Sequence, residues 1–327
     1  MDWKVKKIIN FDSGGTWKDG NAPFGFHDSK GNLYAMSYST HWIGYCGQNG
    51  RLEWSAGNHP VENSDCHITI DLQYPHYITD TPDGMLLVSS AGNKKIYKIN
   101  PNKMTAFVLI DGNDIGLTDL GNCVFDYEGN IWINEVQGCK LWKFTPEGIP
   151  VQTLGNGQPG FQTETTPFND VQFNWIYDIR TGPDGNIYVL DSKNYAVRMI
   201  DIQRKSVITI AGTGVGGYSG DGKNAINATF GSNPDEYFDG PWSLSLDEDG
   251  NIYVGDTQNH VVRMIERSTN IITTIAGNPD IKQGIRNIPT NKDPLSLNLP
   301  KICSMDYNND CLFIPEWDGD LIILSKS

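Results

Sequence analysis

The sequence is short of positive charge: 25 Lys and Arg stand against 39 Asp and Glu, a formal net charge of −14. Phosphate binding needs concentrated basic side chains to displace counterions, so no nucleic-acid partner is expected. An anionic membrane surface is disfavoured on the same grounds. No apolar run approaches the length of a membrane span, and the opening MDWKVKKIIN lacks the apolar stretch of a secretory signal. Cysteine is sparse as well. Cys46, Cys66, Cys123, Cys139, Cys303 and Cys311 form no CxxC pair and no disulfide-framework spacing. They read as mostly buried thiols in a reducing compartment, with the cytoplasm as the expected location. HExxH and GxSxG are absent, and no two histidines stand at zinc-ligand spacing.

What the chain does have is 35 Gly and 11% aromatic residues in 327 positions, a β-leaning composition punctuated by turns. The punctuation is periodic. NIYVLDSKNYAVRMI from Asn186 and NIYVGDTQNHVVRMI from Asn251 each follow a turn, PDG or EDG, and each precede an apolar strand ending in Ala-Gly at Gly212 or Gly277. Weaker copies start at Gly31 (GNLYAMSYSTHWIGYC), Gly84 (GMLLVSSAGNKKIYKI), Gly129 (GNIWINEVQGCKLWKF) and Cys311 (CLFIPEWDGDLIIL). Within each copy apolar and polar residues alternate with period two between Gly, Asp and Asn, the pattern of short antiparallel strands. Four such strands per copy of about 40–50 residues make a propeller blade. A blade cannot bury both faces alone, so the expectation is one all-β domain over 1–327, a six-bladed β-propeller of four-stranded antiparallel blades. The last copy lacks its outer strand, and WKVKKIINF from Trp3 can supply it, closing the ring and removing a sheet edge.

The segment DGPWSLSLDEDGNIYVGDTQNHVVRMI resembles an NHL repeat nearly letter for letter, with the rest of the chain in weaker register. The resemblance implies a six-bladed propeller. It leaves open a protein-interaction scaffold, an RNA-binding module, or an enzyme like the related metal-dependent lactonases and lyases. Those lactonases hold a divalent cation with Glu, Asn and Asp at the starts of inner strands. Here the corresponding positions are His76, Gly121, Tyr177, Trp242 and Lys301, with Asn122 and Asp178 one residue later, so the ligand set departs from the family's. The zinc-binding histidines of an amidating lyase are not visible either.

Inner strands line the channel of a propeller, and alignment by turns points Ser243 and Ser245, Tyr77 and Thr79, Asn122 and Val124, Asp178 and Arg180, and Ile302 and Ser304 toward it. Asp178 and Arg180 are the charged pair among these, suited to anchor a polar ligand or to satisfy each other. A second ring ends the second strands: Ser37, Ser90, Glu135, Asp191, Asp256 and Glu316. Asp191 and Asp256 read as caps of the following turn. Glu135 and Glu316 are longer, and their carboxylates at the channel mouth would suit acid–base work or Ca²⁺, Mg²⁺ or Mn²⁺. His76 is a candidate ligand or general base, and His41 a candidate ligand contact, whereas His260 sits in the repeat consensus. Tyr74, Tyr77, Trp175, Tyr177, Trp242 and Trp317 gather at the same strand ends, the makings of a small-molecule pocket. The glycine-rich GVGGYSGDG at 214–222 reads as a connection between blades, since no helix follows it. The functional expectation is a small-molecule site at one mouth of the channel, belonging to a hydrolase or lyase if the chain is an enzyme. The alternative is a non-catalytic scaffold for a protein partner.

Overall fold

Period-two alternation between tight turns does produce strands here, and they assemble into six sheets arranged as blades, each with four antiparallel strands. The computed structural model describes residues 3–10, 23–27, 31–46, 52–60, 64–231, 239–280, 293–299, 301–315 and 320–326. Blade 1 runs Pro23–His27, Leu33–Ser37, Trp42–Cys46 and Leu52–Gly57, from the channel outward. Blade 2 comprises Pro75–Asp80, Leu86–Ser90, Lys95–Asn100 and Thr105–Asp111. Blade 3 comprises Cys123–Phe125, Ile131–Glu135, Lys140–Phe144 and Pro150–Leu154. Blade 4 comprises Ile176–Thr181, Ile187–Asp191, Ala196–Asp201 and Ser206–Ala211. Blade 5 comprises Ser243–Leu246, Ile252–Asp256, Val261–Ile265 and Ile271–Gly277. Blade 6 comprises Asp306–Asn308, Cys311–Pro315 and Asp320–Lys326, and its outer strand is Trp3–Asn10 from the other end of the chain. That closure pairs Trp3 with Lys326 and Asn10 with Asp320, antiparallel, as the sequence led us to expect.

Extra strands cover three of the outer edges. Cys66–Thr69 lies parallel to the outer strand of blade 1, Thr166–Pro167 pairs with that of blade 4, and Lys223–Asn224 with that of blade 5. The last two come from the loops that precede their blades, so GVGGYSGDG belongs to a covering segment.

The core lies between blades. Leu244 and Val254 of blade 5 pack with Tyr188 and Leu190 of blade 4, and Trp132 and Ile133 of blade 3 lie in one cluster with Leu87 of blade 2 and Ile179 of blade 4. Turn geometry repeats too. His41, Lys94, Cys139, Tyr195 and His260, each four residues beyond the end of a second strand, are all left-handed, with φ of 60°, 57°, 53°, 48° and 58°. His41 and His260 therefore occupy turn positions first, whatever else they do. Gly212 (φ +98°) follows the outer strand of blade 4 and Gly277 (φ +85°) ends that of blade 5, and an added Cβ there would lie 2.1 Å from the carbonyl oxygens of Tyr195 and His260. Gly212→Ala combines a disfavoured φ with a backbone clash and is expected to cost at least about 1–3 kcal/mol. Urea unfolding followed by tryptophan fluorescence would read this as a lower midpoint.

Among the described residues no helix is long and apolar enough to cross a membrane. The described cysteines Cys66, Cys123, Cys139, Cys303 and Cys311 are free thiols, all buried except Cys66.

Candidate functional site

The inner strands converge so that His76, Tyr77, Asn122, Tyr177, Asp178, Arg180, Trp242, Cys303 and Ser304 surround one cavity on the channel. Its volume is about 10 Å³, room for roughly one water molecule. The cavity is too small to hold an organic molecule.

The plug is a chain of hydrogen bonds across blades. Asp178 Oδ1 accepts from Arg180 Nη1 and Asn122 Nδ2, and Oδ2 accepts from the backbone N–H of Leu244 at 2.8 Å. One carboxylate thus holds blades 3, 4 and 5 together. Arg180 also lies over the Tyr77 ring at 4.4 Å, which adds blade 2. Asn122 receives a second tie from below: Asn134 Oδ1 accepts its N–H at 2.7 Å, while Asn134 Nδ2 donates to Ile176 O at 2.6 Å. Gly121 allows this approach, since a Cβ there would meet the Asn134 amide at 2.3 Å.

The network also assigns the histidine tautomer. Asn122 donates through Nδ2, so its Oδ1 is the acceptor facing His76, and His76 Nδ1 at 2.8 Å is the donor. The lone pair of the neutral ring is then on Nε2. Burial lowers the His76 pKa; the Asn122 hydrogen bond opposes this, and the Arg180 charge adds to it. Burial also pushes the Asp178 carboxyl up to about 6, against Arg180 and its hydrogen-bond donors. Tyr77 and Tyr177 are raised far above the usual phenol range by burial, and stay protonated.

Around the mouth runs an arc of rings. His41 meets Tyr74 edge-on at 4.6 Å, Tyr74 meets Tyr38 at 5.0 Å, and Tyr38 meets His76 at 6.5 Å. His76 meets Tyr177 at 5.8 Å, and Tyr177 stacks on Trp242 at 5.7 Å with 24° between planes. The arc brings together four of the expected site residues, His41, His76, Tyr177 and Trp242. His41 is tied down within it, because its Nδ1 accepts the N–H of Tyr74 at 2.9 Å. Trp175 stands apart from the cavity, with Lys193 over its ring at 4.3 Å.

Several expectations require correction. Ile302 and Val124 pack into the inter-blade core, and Cys303 takes the channel position beside Ser304. Glu135 does not reach the channel. Its Oε1 accepts the N–H of Thr118 at 2.6 Å, on the loop leading into blade 3. Asp191 and Asp256 do the same for Asn174 at 2.7 Å and Gly231 at 2.8 Å, and Ser90 for Gln73 at 2.8 Å. All of these residues hold the incoming loop. Asp191 and Asp256 are structural as expected, but neither caps the short helical turn after it. Glu316 and Trp317 lie outside the described residues.

Among the described residues no three His, Cys, Asp or Glu side chains converge as a ligand set, and the Asp178 oxygens are engaged as above. Sequence reasoning missed Tyr38 and Asn134. Tyr38 follows the strand end Ser37 in a segment too divergent to align, and Asn134 sits on a second strand whose neighbours are apolar.

A family model for the NHL repeat matches residues 238–263. NHL repeat-containing protein 2 of Gallus gallus is 30% identical over 118 residues, 36% of this chain and 15% of that protein's length. The chain thus spans a small fraction of the curated relatives it matches. A Bacteroides thetaiotaomicron protein of unknown function superposes with a TM-score of 0.69 at 14% identity, over 99% of this chain and 76% of that one. A catalytically inactive histidine-to-alanine form of virginiamycin B lyase from Staphylococcus aureus, bound to quinupristin, superposes with a TM-score of 0.58 at 10% identity, over 94% and 80%. At such identities the likeness is one of fold. The chain is a six-bladed β-propeller whose ring is closed by its own N-terminal strand, and its fifth blade carries a match to the NHL repeat.

Proposed function

We propose that the channel mouth binds a small, neutral, ring-bearing molecule over the Tyr177–Trp242 stack, with the neutral His76 imidazole as its polar contact. The observation that carries this reading is the histidine itself: half-buried, fixed in one tautomer by Asn122, and flanked by the rings of Tyr38 and Tyr177. Apolar walls around few, oriented polar groups are the usual make-up of a small-molecule site. Asp178 and Arg180 neutralise each other, so they position Asn122 and His76 and offer no net charge to an anionic ligand. Where the bound molecule is turned over, a neutral imidazole with its lone pair on Nε2 suits proton abstraction, the chemistry of a lyase or of a hydrolase that activates water. The lyase among the fold's neighbours, inactive without one of its histidines, supports the same class.

The test is calorimetric titration with a panel of sugar lactones and aromatic esters. His76→Ala is expected to lose at least about ten-fold in affinity, the worth of a hydrogen bond in a buried site. Because burial lowers the His76 pKa, wild-type affinity is expected to hold through pH 6.5 and to fall only below it, as the ring gains a proton. A protein that binds none of the panel, or a His76→Ala variant that binds as wild type does, overturns the reading.

A further inference from the structure

The outer edges of the blades are not treated alike. Blades 1, 4 and 5 carry a fifth strand on the outside, whereas among the described residues the outer strands of blades 2 and 3 have none. The cause is loop length. Covering segments for blades 4 and 5 come from the connections 155–175 and 212–242, but blade 3 is reached through 112–122, too short to run out to the rim and back. The bare edges are also apolar. Phe107 and Val108 on the edge of blade 2, and Ile149 and Val151 at that of blade 3, are 40–61% exposed, and Pro150–Leu154 contains no charged residue. Soluble proteins usually guard such an edge with charge, especially Lys.

Blade 5 shows what a covered edge looks like. Asp221, just before its covering strand, accepts from Arg263 Nη2 at 2.6 Å and from the N–H of Thr274, on the outer strand, at 3.0 Å. In blade 3 the equivalent of Arg263 is Trp142, which faces Ile133 and Thr153 as Arg263 faces Val254 and Thr274. Its indole Nε1 is buried and has no hydrogen-bond partner among the described residues. Such a group costs stability until an acceptor reaches it. Lys140, two positions earlier on the same strand and so on the same face, forms no ion pair with any described residue. The missing element is thus an acceptor, and the lysine favours a negative one.

We infer that the outer edge of blade 3 is a docking site for an extended, carboxylate-bearing segment of a protein partner, which adds a fifth strand to Pro150–Leu154 and offers an acidic side chain to Trp142 Nε1 and the Thr153 N–H. The interaction is strand addition, in which main-chain hydrogen bonds give affinity and one placed side chain gives register. It uses the rim and is independent of the channel mouth.

The probe is a synthetic peptide of residues 217–227 of this chain, GYSGDGKNAIN, the segment that covers blade 5. Added in trans at millimolar concentration to isotopically labelled full-length protein, it is expected to shift the Trp142 indole resonance and to protect the amides of Val151–Thr153 from exchange. Trp142→Phe, which keeps an aromatic ring, is expected to weaken binding at least about ten-fold, the worth of one hydrogen bond to a charged acceptor. An Asp221→Asn peptide and a Thr153→Pro protein are each expected to weaken it as well, with unchanged circular dichroism showing that the fold persists. No shift at millimolar peptide, shifts confined to the channel mouth or to the covered blades, equal binding by Trp142→Phe, or dimerisation of the free protein through this edge would each overturn the proposal.

Discussion

Removal of residues 1–10 is expected to leave the protein at the margin of folding. The strand Trp3–Asn10 joins the start of the chain to the last blade, and it pairs with Asp320–Lys326 along its whole length. Trp3 and Val5 are buried, Trp3 edge-on to Tyr253 of blade 5 at 5.7 Å. The closing strand also guides a charge. Lys326 lies 5.8 Å from the Trp3 ring and donates to Asp247 of blade 5 at 2.8 Å, which helps to hold the Asp247 carboxyl below the usual range. Losing the packing of one Trp and one Val costs roughly 5–8 kcal/mol, against a total stability of about 5–15 kcal/mol for most domains. The truncated protein is expected to melt at least about 10 °C lower and, with the edge of Asp320–Lys326 bare, to aggregate on concentration. Differential scanning calorimetry checks the first effect. Restoration of the transition by a peptide of residues 1–10 added in trans separates loss of closure from general damage. A truncated protein that melts as wild type does would show that the ring does not depend on this strand.

Closure was legible because it followed from counting: six copies of a strand pattern, one lacking its last strand, and an unused strand at the other end of the chain. Side-chain placement was legible where the copies aligned cleanly, as for Asp178, Arg180, Asn122 and Tyr77. It failed at Ile302, because the last inner strand shrinks to Asp306–Asn308 and the residues before it do not alternate, so that the adjacent Cys303 and Ser304 both line the cavity while Ile302 packs in the core. Glu135 misled for another reason. Its extra methylene suggested a longer reach into the channel, but the strand-end position fixes its direction, and the Thr118 N–H lies where Asn174 and Gly231 lie for the aspartates. The aromatic arc was half visible: its members could be named from their place at strand ends, but contacts between Tyr38, Tyr74 and His76 depend on how blades 1 and 2 meet. The unequal blade edges could not be read from the repeat, because covering strands of two to four residues carry no periodic signal.

Asp178→Ala is expected to be the most damaging single substitution at the channel. It strands the Arg180 guanidinium in a buried site and frees the Leu244 N–H and the Asn122 amide at once. Breaking a buried pair by removing one partner costs about 3–5 kcal/mol. Asp178→Asn keeps an acceptor for Leu244 and is expected to cost less, and the comparison has a pH signature. The Asp178 carboxyl is raised to about 6 by burial, from 3.8 in the unfolded chain. The folded state therefore binds this proton more tightly. Its contribution to stability is fully present below pH 3.8, declines as pH rises, and is lost above about 6. Between pH 4 and 7 wild type should lose about 2–3 kcal/mol through this one group, a loss the Asn variant does not share. The stability gap between wild type and Asp178→Asn is thus expected to narrow as pH rises, because ionisation elsewhere cancels in the difference. Urea midpoints of both proteins at pH 4.5 and pH 7 measure it. A gap that widens toward neutral pH would mean that Arg180 outweighs burial, that the folded carboxyl titrates below 3.8, and that the pair stabilises the ring chiefly by its charge.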